Sequence, residues 1–255
     1  MRLHRFYIEQ KVGDNKEITL SDPELNHQLS SVFRFKIGNQ VMVFDGSGFE
    51  YTAEIISLNK KEIILKILSR TNKTTQNKNV SLYLSLIKKG NFELATEKCT
   101  EVGVTEIHPI ISERSEKKDL NIERLNKIVK EASEQSGRVT LPKVFEITDL
   151  ETAISQAVAK GKRCLTFHTT PFELTQTNSL HLTQTCLDAR RANRSESCLN
   201  KSEEEVIVFI GPEGGWTEKE IELFKQNNFQ IYSLGQNILR AETAAIVAVW
   251  SQVNK

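Results

Sequence analysis

The stretch at residues 206–210 constrains the fold of this chain more than any other feature. Its sequence, Val-Ile-Val-Phe-Ile, is uninterruptedly apolar, which is typical of a strand buried on both faces of a parallel sheet. Gly-Pro-Glu-Gly-Gly follows at 211–215, and Thr217 and Glu220 have the spacing of a capping box that opens a helix. A strand, a glycine-rich turn and a helix in this order predict an α/β domain with a mostly parallel sheet.

The rest of residues 80–255 repeats this alternation. Strands are predicted at 80–87, 107–111, 164–167 and 230–234, and helices at 92–102, 122–132, 150–158 and 241–253. The polar stretch 173–205 has no strong periodicity and predicts a long surface loop, with an unrecognised helix as the alternative.

Residues 1–70 have a different pattern. Short apolar runs, separated by turn residues such as Asp45-Gly46-Ser47-Gly48, predict several short strands and a small β-barrel domain. Residues 71–79 contain nothing to bury and predict a linker. We therefore expect a front domain at 1–70 and a rear domain at 80–255.

Composition excludes several classes of protein. The 255 residues contain no run of 18 apolar residues and no secretory signal core, so neither a membrane span nor secretion is expected. The four cysteines form no Cys-x-x-Cys pair, which favours a reducing, cytoplasmic location without a metal or disulfide framework. A net charge of +1 does not by itself indicate a nucleic-acid partner.

Two glycine-containing loops are the candidate site. Gly211–Gly215 has neither the dinucleotide nor the nucleoside-triphosphate spacing, so neither ligand is predicted. The second loop follows the strand that ends near Gly235 and leads to Arg240 at the start of a helix, where a cation opposes the helix dipole. Because both loops follow successive strands, we expect them to lie side by side and form a pocket, although each loop alone also fits an ordinary turn.

Together these motifs resemble the RsmE family of 16S ribosomal RNA uracil-N3 methyltransferases, in the SPOUT superfamily. The resemblance covers nearly the whole chain and is most specific in Gly-Pro-Glu-Gly-Gly (211–215) and in Leu-Gly…Ile-Leu-Arg-x-Glu-Thr-Ala (234–244). Other matching motifs are Arg-x-x-Arg-Phe (2–6), His27 with Val-Phe-Arg (32–34), Phe-Asp-Gly (44–46), Lys-Lys-Gly (88–90), Glu-Val-Gly-Val (101–104), Ser-Glu-Arg (112–114) and Glu-Gln-Ser-Gly-Arg (134–138). Phe33 replaces a usual leucine, and Gln236-Asn237 replaces an arginine-containing pair.

The resemblance implies a PUA-like, OB-related β-barrel followed by an α/β SPOUT methyltransferase domain with a C-terminal trefoil knot. It also implies a homodimer that binds S-adenosyl-L-methionine in the knotted loops. By the match, the cofactor-binding residues are Phe167, His168, Gly211, Pro212, Glu213, Gly214, Gly215, Leu234, Gly235, Ile238, Leu239, Arg240, Thr243 and Ala244.

The resemblance implies the chemistry as well. Uracil N3 must lose a proton during methyl transfer, so we expect Arg240 to stabilise negative charge on the base, with Glu213 and Glu242 as candidate general bases. The partner that the resemblance implies is 16S ribosomal RNA of the small subunit. The expected RNA contacts are Arg2, His4, Arg5, Arg34, Lys88, Lys89, Arg114 and Arg138, with His27 a further match. The alternatives are a SPOUT methyltransferase acting on tRNA or 23S ribosomal RNA, and a non-catalytic RNA-binding dimer.

Overall fold

The computed structural model describes residues 3–59, 61–73, 78–116, 120–168 and 205–254. They form two compact units, one of Met1–Thr75 with Val129–Leu141, and one of Gln76–Ile128 with Pro142–Lys255. The predicted 173–205 loop, except Glu205, falls outside the described residues, and so does Arg2.

The front unit is built on a five-stranded sheet in the order β1-β3-β4-β5-β2. Only the β1–β3 pair is parallel. Its strands and its helix are β1 (Arg5–Tyr7), β2 (Glu17–Leu20), α1 (Pro23–His27), β3 (Gln40–Phe44), β4 (Phe49–Leu58) and β5 (Ile63–Asn72). A π-helical turn, Gln28–Val32, continues α1. The β-rich front of the chain is therefore confirmed, with strand side chains such as Phe6, Val43 and Leu65 in its core.

The front unit departs from the sequence prediction at both of its limits. β5 extends to Asn72, so residues 71 and 72 are strand rather than linker. The sequence pattern predicts that Val129–Leu141 belongs to the rear domain, but this segment packs in the front unit. There Tyr7 donates its backbone N–H to Glu134 Oε1 at 2.9 Å, and Arg5 Nη2 donates to the Arg138 carbonyl oxygen at 2.9 Å.

The rear unit is built on a parallel sheet in the order β12-β10-β11-β6-β7-β8, with β9 also paired to β7. Its strands are β6 (Val80–Ser85), β7 (Glu106–Ile111), β8 (Lys143–Val144), β9 (Thr148–Asp149), β10 (Arg163–Phe167), β11 (Val206–Ile210) and β12 (Gln230–Tyr232). Its helices are α2 (Lys89–Val102), α4 (Leu150–Ala159), α5 (Glu218–Gln226) and α6 (Ala241–Val253), while α3 (Ile122–Ser136) begins in it. The predicted parallel α/β fold is confirmed, and the wholly apolar β11 is a central strand.

Local signals explain where these helices begin and end. The Thr217 hydroxyl and the Glu220 carboxylate form the predicted capping box at α5. Gly103 ends α2 with a left-handed φ of 113°, which a residue without Cβ adopts without strain. The start of α5 is important for the site because this helix begins directly after the glycine-rich loop that follows β11.

Candidate active site

A cavity of about 380 Å³ opens where β10, β11 and β12 end. Three chain segments line it: Phe167–His168, Ile210–Trp216 and Ser233–Ala244, the last without Gln236, Glu242 and Thr243. Ligands of open α/β sheets bind at this carboxyl edge of the strands, and the volume is that of a small-molecule site. The two predicted glycine-containing loops therefore converge on one cavity.

The reason for this convergence differs from the expected one. β11 and β12 are not neighbours, because β10 lies between them and pairs in parallel with both. Phe167 and His168, at the end of β10, therefore occupy the middle of the cavity wall, between the two loops. The expectation of adjacent strands is wrong, whereas the expectation of a shared pocket is confirmed.

The first loop is held by Trp216. Its indole Nε1 donates to the Phe167 carbonyl oxygen at 3.1 Å, and its ring packs edge-on against Phe224 of α5. A Cβ atom at Gly211 would lie 3.1 Å from the indole ring, closer than side chains ordinarily pack. Glycine at 211 thus allows the loop to close over the tryptophan that anchors it.

A second set of contacts fixes the same loop from the side of β7. Arg114 Nη1 donates to the Gly214 carbonyl oxygen at 2.7 Å. The residue before it, Glu113, donates its backbone N–H to Glu220 Oε1 at 2.8 Å and accepts from the Thr217 hydroxyl at 3.1 Å. The α5 capping box therefore also positions the 112–114 turn, a function that the Thr-x-x-Glu spacing alone does not reveal.

The second loop brings Arg240 to the cavity. Arg240 is the N-cap residue of α6, makes no capping hydrogen bond and is exposed in the lining. Ile238, also in the lining, is 81% exposed, so the loop presents apolar surface beside a guanidinium. This arrangement suits a ligand with both a flat apolar part and a developing negative charge.

The two candidate bases are placed differently. Glu213 is exposed in the lining, and its Oε1 accepts from the Lys88 backbone N–H at 3.4 Å. Glu242 is 5% exposed and is not part of the lining, so a substrate in the cavity does not reach it as positioned. The first turn of α6 places Arg240 and Ala241 in the cavity lining but buries Glu242 in the protein. The expectation that Glu242 acts as a general base is therefore corrected. Thr243 is likewise outside the lining.

His168 gives the cavity one titratable side chain with a perturbed pKa. Burial disfavours the charged imidazolium and lowers the pKa of His168 below its usual value. Burial therefore favours the neutral ring, the form that does not repel a cationic ligand.

The expected RNA contacts differ in how accessible their side chains are. His4, Arg34, Lys88, Lys89 and Arg114 are exposed, as is His27. Arg5 is not available to a phosphate, because its side chain is 8% exposed and forms an ion pair with Glu50, itself 4% exposed. The expectation of a phosphate contact at Arg5 is corrected for this reason. Burial lowers the pKa of Arg138 to about 10, but this residue is only half-buried, so a phosphate contact at Arg138 stays a prediction.

Two absences hold for the described residues. No helix among them combines the length and the apolar composition that crossing a bilayer requires. No group of three or more His, Cys, Asp or Glu side chains in the same ranges has the geometry of a metal site.

Comparison with known proteins finds a matching family for each of the two parts of the chain. The family described as RNA methyltransferase domain matches residues 74–251, and the family described as RNA methyltransferase PUA domain matches residues 20–68. Ribosomal RNA small subunit methyltransferase E of Rickettsia conorii is 32% identical over 98% of this chain and 94% of its own length. The same-named protein of Bacillus subtilis is 27% identical over 97% of this chain and 92% of its own length.

Solved structures agree with the sequence relatives. Ribosomal RNA small subunit methyltransferase E of Neisseria gonorrhoeae, crystallised with S-adenosyl methionine, has a TM-score of 0.76 at 27% identity, covering 98% of this chain and 96% of that one. A methyltransferase of Legionella pneumophila, in complex with the cofactor SAM, has a TM-score of 0.76 at 26% identity, covering 99% and 97%. The chain belongs to the ribosomal RNA small subunit methyltransferase E family.

Proposed function

We propose that this protein transfers a methyl group from S-adenosylmethionine to N3 of a uridine in 16S ribosomal RNA of the small subunit. The observation that carries the proposal is the cavity in which the loops 211–216 and 233–240 meet the end of β10. The names of the relatives support ribosomal RNA as substrate, and the cofactor in two related structures supports the methyl donor. A ribosomal substrate also supports a cytoplasmic site of action.

The lining of the cavity fits the cofactor. Leu234, Ile238 and Leu239 offer apolar surface for an adenine ring. A Cβ at Gly215 or Gly235 would meet no protein atom within 4 Å, so backbone in both loops is open to close approach by a ligand. When bound, S-adenosylmethionine supplies a methyl group on a positively charged sulfur, and the neutral His168 imidazole adds no repulsion to that charge.

The side chains at the cavity then have distinct tasks. Methyl transfer in line requires the acceptor nitrogen to be held close and aligned, which the loops achieve by enclosing the base. Arg240 stabilises negative charge on the uracil oxygens as N3 loses its proton. Glu213, the one candidate base in the lining, accepts that proton on its carboxylate.

The RNA must present one base to this cavity. A base inside a helix is out of reach, so the target uridine leaves its stack before methylation. Lys88, Lys89 and Arg114 are exposed, and Lys88 and Arg114 are held next to the loop 213–214 by hydrogen bonds. We assign these three cations to phosphates that flank the target and His4, His27 and Arg34 to RNA contacts of the front unit.

A homodimer is part of the same proposal. On α6, Trp250 is 51% exposed, and on α2, which packs against α6, Leu94 is 41% exposed. Large apolar side chains on two packed helices support burial by a second copy. Light scattering at micromolar concentration tests this, since a mass near 29.0 kDa would exclude the dimer. The trefoil knot stays a prediction.

Two measurements test the function. Calorimetric titration with S-adenosylmethionine separates an enzyme from a non-catalytic RNA-binding dimer, because the latter gives no heat of binding. Mass mapping of ribosomal and transfer RNA from a deletion strain identifies the target. Loss of one N3-methyluridine from 16S RNA is the expected result, whereas a loss confined to tRNA or 23S RNA would support the alternative substrate.

A further inference from the structure

We propose that a cavity of the front unit, separate from the active site, binds one unpaired base of the substrate RNA. The inference rests on the proposed function, because its ligand is the RNA that the enzyme modifies. The cavity measures about 270 Å³ and is lined by residues that include His4, Arg5, Gln28, Phe33, Glu134 and Gln135. This volume is just below the range of drug-sized ligand sites and suits a single planar ring.

Aromatic side chains form one wall of this base cavity. The His4 and Phe33 rings have centroids 4.4 Å apart, and Phe33 stacks on Phe35 at 5.6 Å with nearly parallel planes. Phe6, in the core, meets Phe33 edge-on at 5.5 Å. Phe33 is therefore held from two sides while it stays half-buried, and His4 is exposed beside it. Unpaired RNA bases bind by stacking on such rings at the solvent boundary.

Two side-chain amides face the same cavity. Gln28 follows α1, and Gln135 lies near the end of α3; in the described part of the chain, no hydrogen bond engages either side-chain amide. A carboxamide offers one donor and one acceptor in a plane, which matches the edge of a nucleobase. Below them Glu134 is buried and its Oε1 accepts from the Tyr7 backbone N–H at 2.9 Å, so this wall is fixed.

Cations lie next to Phe33 in the chain. Arg34 and Lys36 are exposed, and the φ of 55° at Arg34 is the left-handed conformation in which a helix commonly ends, here directly after the π-helical turn and Phe33. Val32 and Ile37 are exposed as well, which would also suit a protein partner. The side-chain amides and the neighbouring cations favour a nucleic acid over a protein partner. The cations can pair with phosphates, and the amides can form hydrogen bonds with the edge of a base.

The test compares two probes with the full-length chain. One is a fluorescein-labelled single-stranded RNA decamer, and the other is the same decamer with abasic residues, which keeps the phosphates and removes the stacking faces. The wild-type chain should bind the first more tightly. Phe33→Leu keeps the apolar volume but removes the ring, and Gln135→Ala removes an exposed amide. Loss of one stacked base corresponds to about 5- to 150-fold in affinity, so Phe33→Leu should reduce the preference by at least about fivefold.

Arg34→Ala is the matched control. It should weaken both probes alike and lower the log–log salt slope by about one, because it removes a charge and leaves the rings. Unchanged preference for the base-containing decamer in both Phe33→Leu and Gln135→Ala would overturn the inference. So would a wild-type chain that binds both decamers equally. If such a chain still methylates 16S RNA, the proposed function stands without the base cavity; absence of cofactor binding and of methylation would remove the proposed function itself.

Discussion

Arg114 Nη1 donates a hydrogen bond of 2.7 Å to the carbonyl oxygen of Gly214, and this contact joins the turn after β7 to the glycine-rich loop after β11. The turn is itself fixed by Glu220, which accepts from the Glu113 backbone N–H and also caps α5. A residue expected from the sequence only as a phosphate contact therefore also holds the loop that lines the cavity.

Gly214→Val should weaken cofactor binding. A Cβ at position 214 would lie 3.2 Å from Arg114 Cδ and 3.3 Å from its Cβ, so a branched side chain forces the arginine or the loop to move. Titration calorimetry with S-adenosylmethionine should show at least a tenfold loss of affinity, because the lining of the cavity moves with the loop.

Gly90→Val provides the matched control for this substitution. A Cβ at position 90, in the first turn of α2, meets nothing within 4 Å. A β-branched residue in a helix lowers the free energy of unfolding by less than about 1 kcal/mol relative to alanine, so the fold should be kept. The control should keep wild-type affinity. Equal affinity in Gly214→Val, with an unchanged circular dichroism spectrum, would remove the loop from the cofactor site.

The sequence pattern predicts what is local and misses what depends on strand order. The apolar run at 206–210 is typical of a buried strand, and the capping box at Thr217 is a contact within one turn, so both are predicted correctly. No local pattern indicates that β10 lies between β11 and β12, because crossover connections decide which strands pair. Whether Glu242 is buried depends on which side of α6 it lies on. A helix that began one residue earlier or later would turn Glu242 to another side, and the sequence does not fix that start so closely.

Arg5→Ala should reduce stability rather than RNA affinity. The Glu50 carboxylate is only 4% exposed and pairs with both Arg5 and Lys73. Among the ion pairs of the described residues, the substitution leaves Lys73 as the one cation beside this carboxylate. Leaving a buried charge uncompensated costs about 3–5 kcal/mol; because Lys73 still pairs with Glu50, we expect a smaller loss of about 1–3 kcal/mol in the free energy of unfolding, measured by urea titration. The exposed Arg34→Ala should change this free energy by less than about 0.5 kcal/mol. If Arg5→Ala instead kept its stability and lowered the salt slope of RNA binding, Arg5 would be the phosphate contact that the sequence suggests.

Glu106 makes the stability of the rear unit depend on pH. Burial alone would raise the pKa of Glu106, but hydrogen bonds from Lys160, His108 and Ser81 outweigh it and lower the pKa to about 2. Because the folded-state pKa lies below the unfolded value, the stabilisation is complete at pH well above 4.5 and is lost as pH falls towards 2.

Urea unfolding of wild type and Glu106→Gln at pH 7 and pH 3 measures this dependence. The difference in free energy of unfolding between the two proteins should be on the order of 3 kcal/mol at pH 7 and shrink by more than half at pH 3. Glu101→Gln, at an exposed ion pair on α2, should show a difference below about 1 kcal/mol at both pH values. A Glu106→Gln difference that does not vary with pH would contradict the ion-pair explanation.

Arg240→Ala should slow methyl transfer while leaving RNA binding nearly unchanged. Arg240, the N-cap residue of α6, is exposed in the cavity lining, and in the proposed function it stabilises charge that develops only as the uracil loses its N3 proton. Loss of one preorganised charge contact reduces a rate by about 10²–10³-fold, to be measured by single-turnover kinetics on 16S RNA with saturating cofactor. Lys89→Ala, at an exposed cation outside the lining, should do the reverse: weaker RNA binding, with the bound complex reacting at the wild-type rate. An Arg240→Ala enzyme that binds RNA poorly but reacts at the wild-type rate once bound would assign Arg240 to RNA affinity and leave the uracil charge to another group.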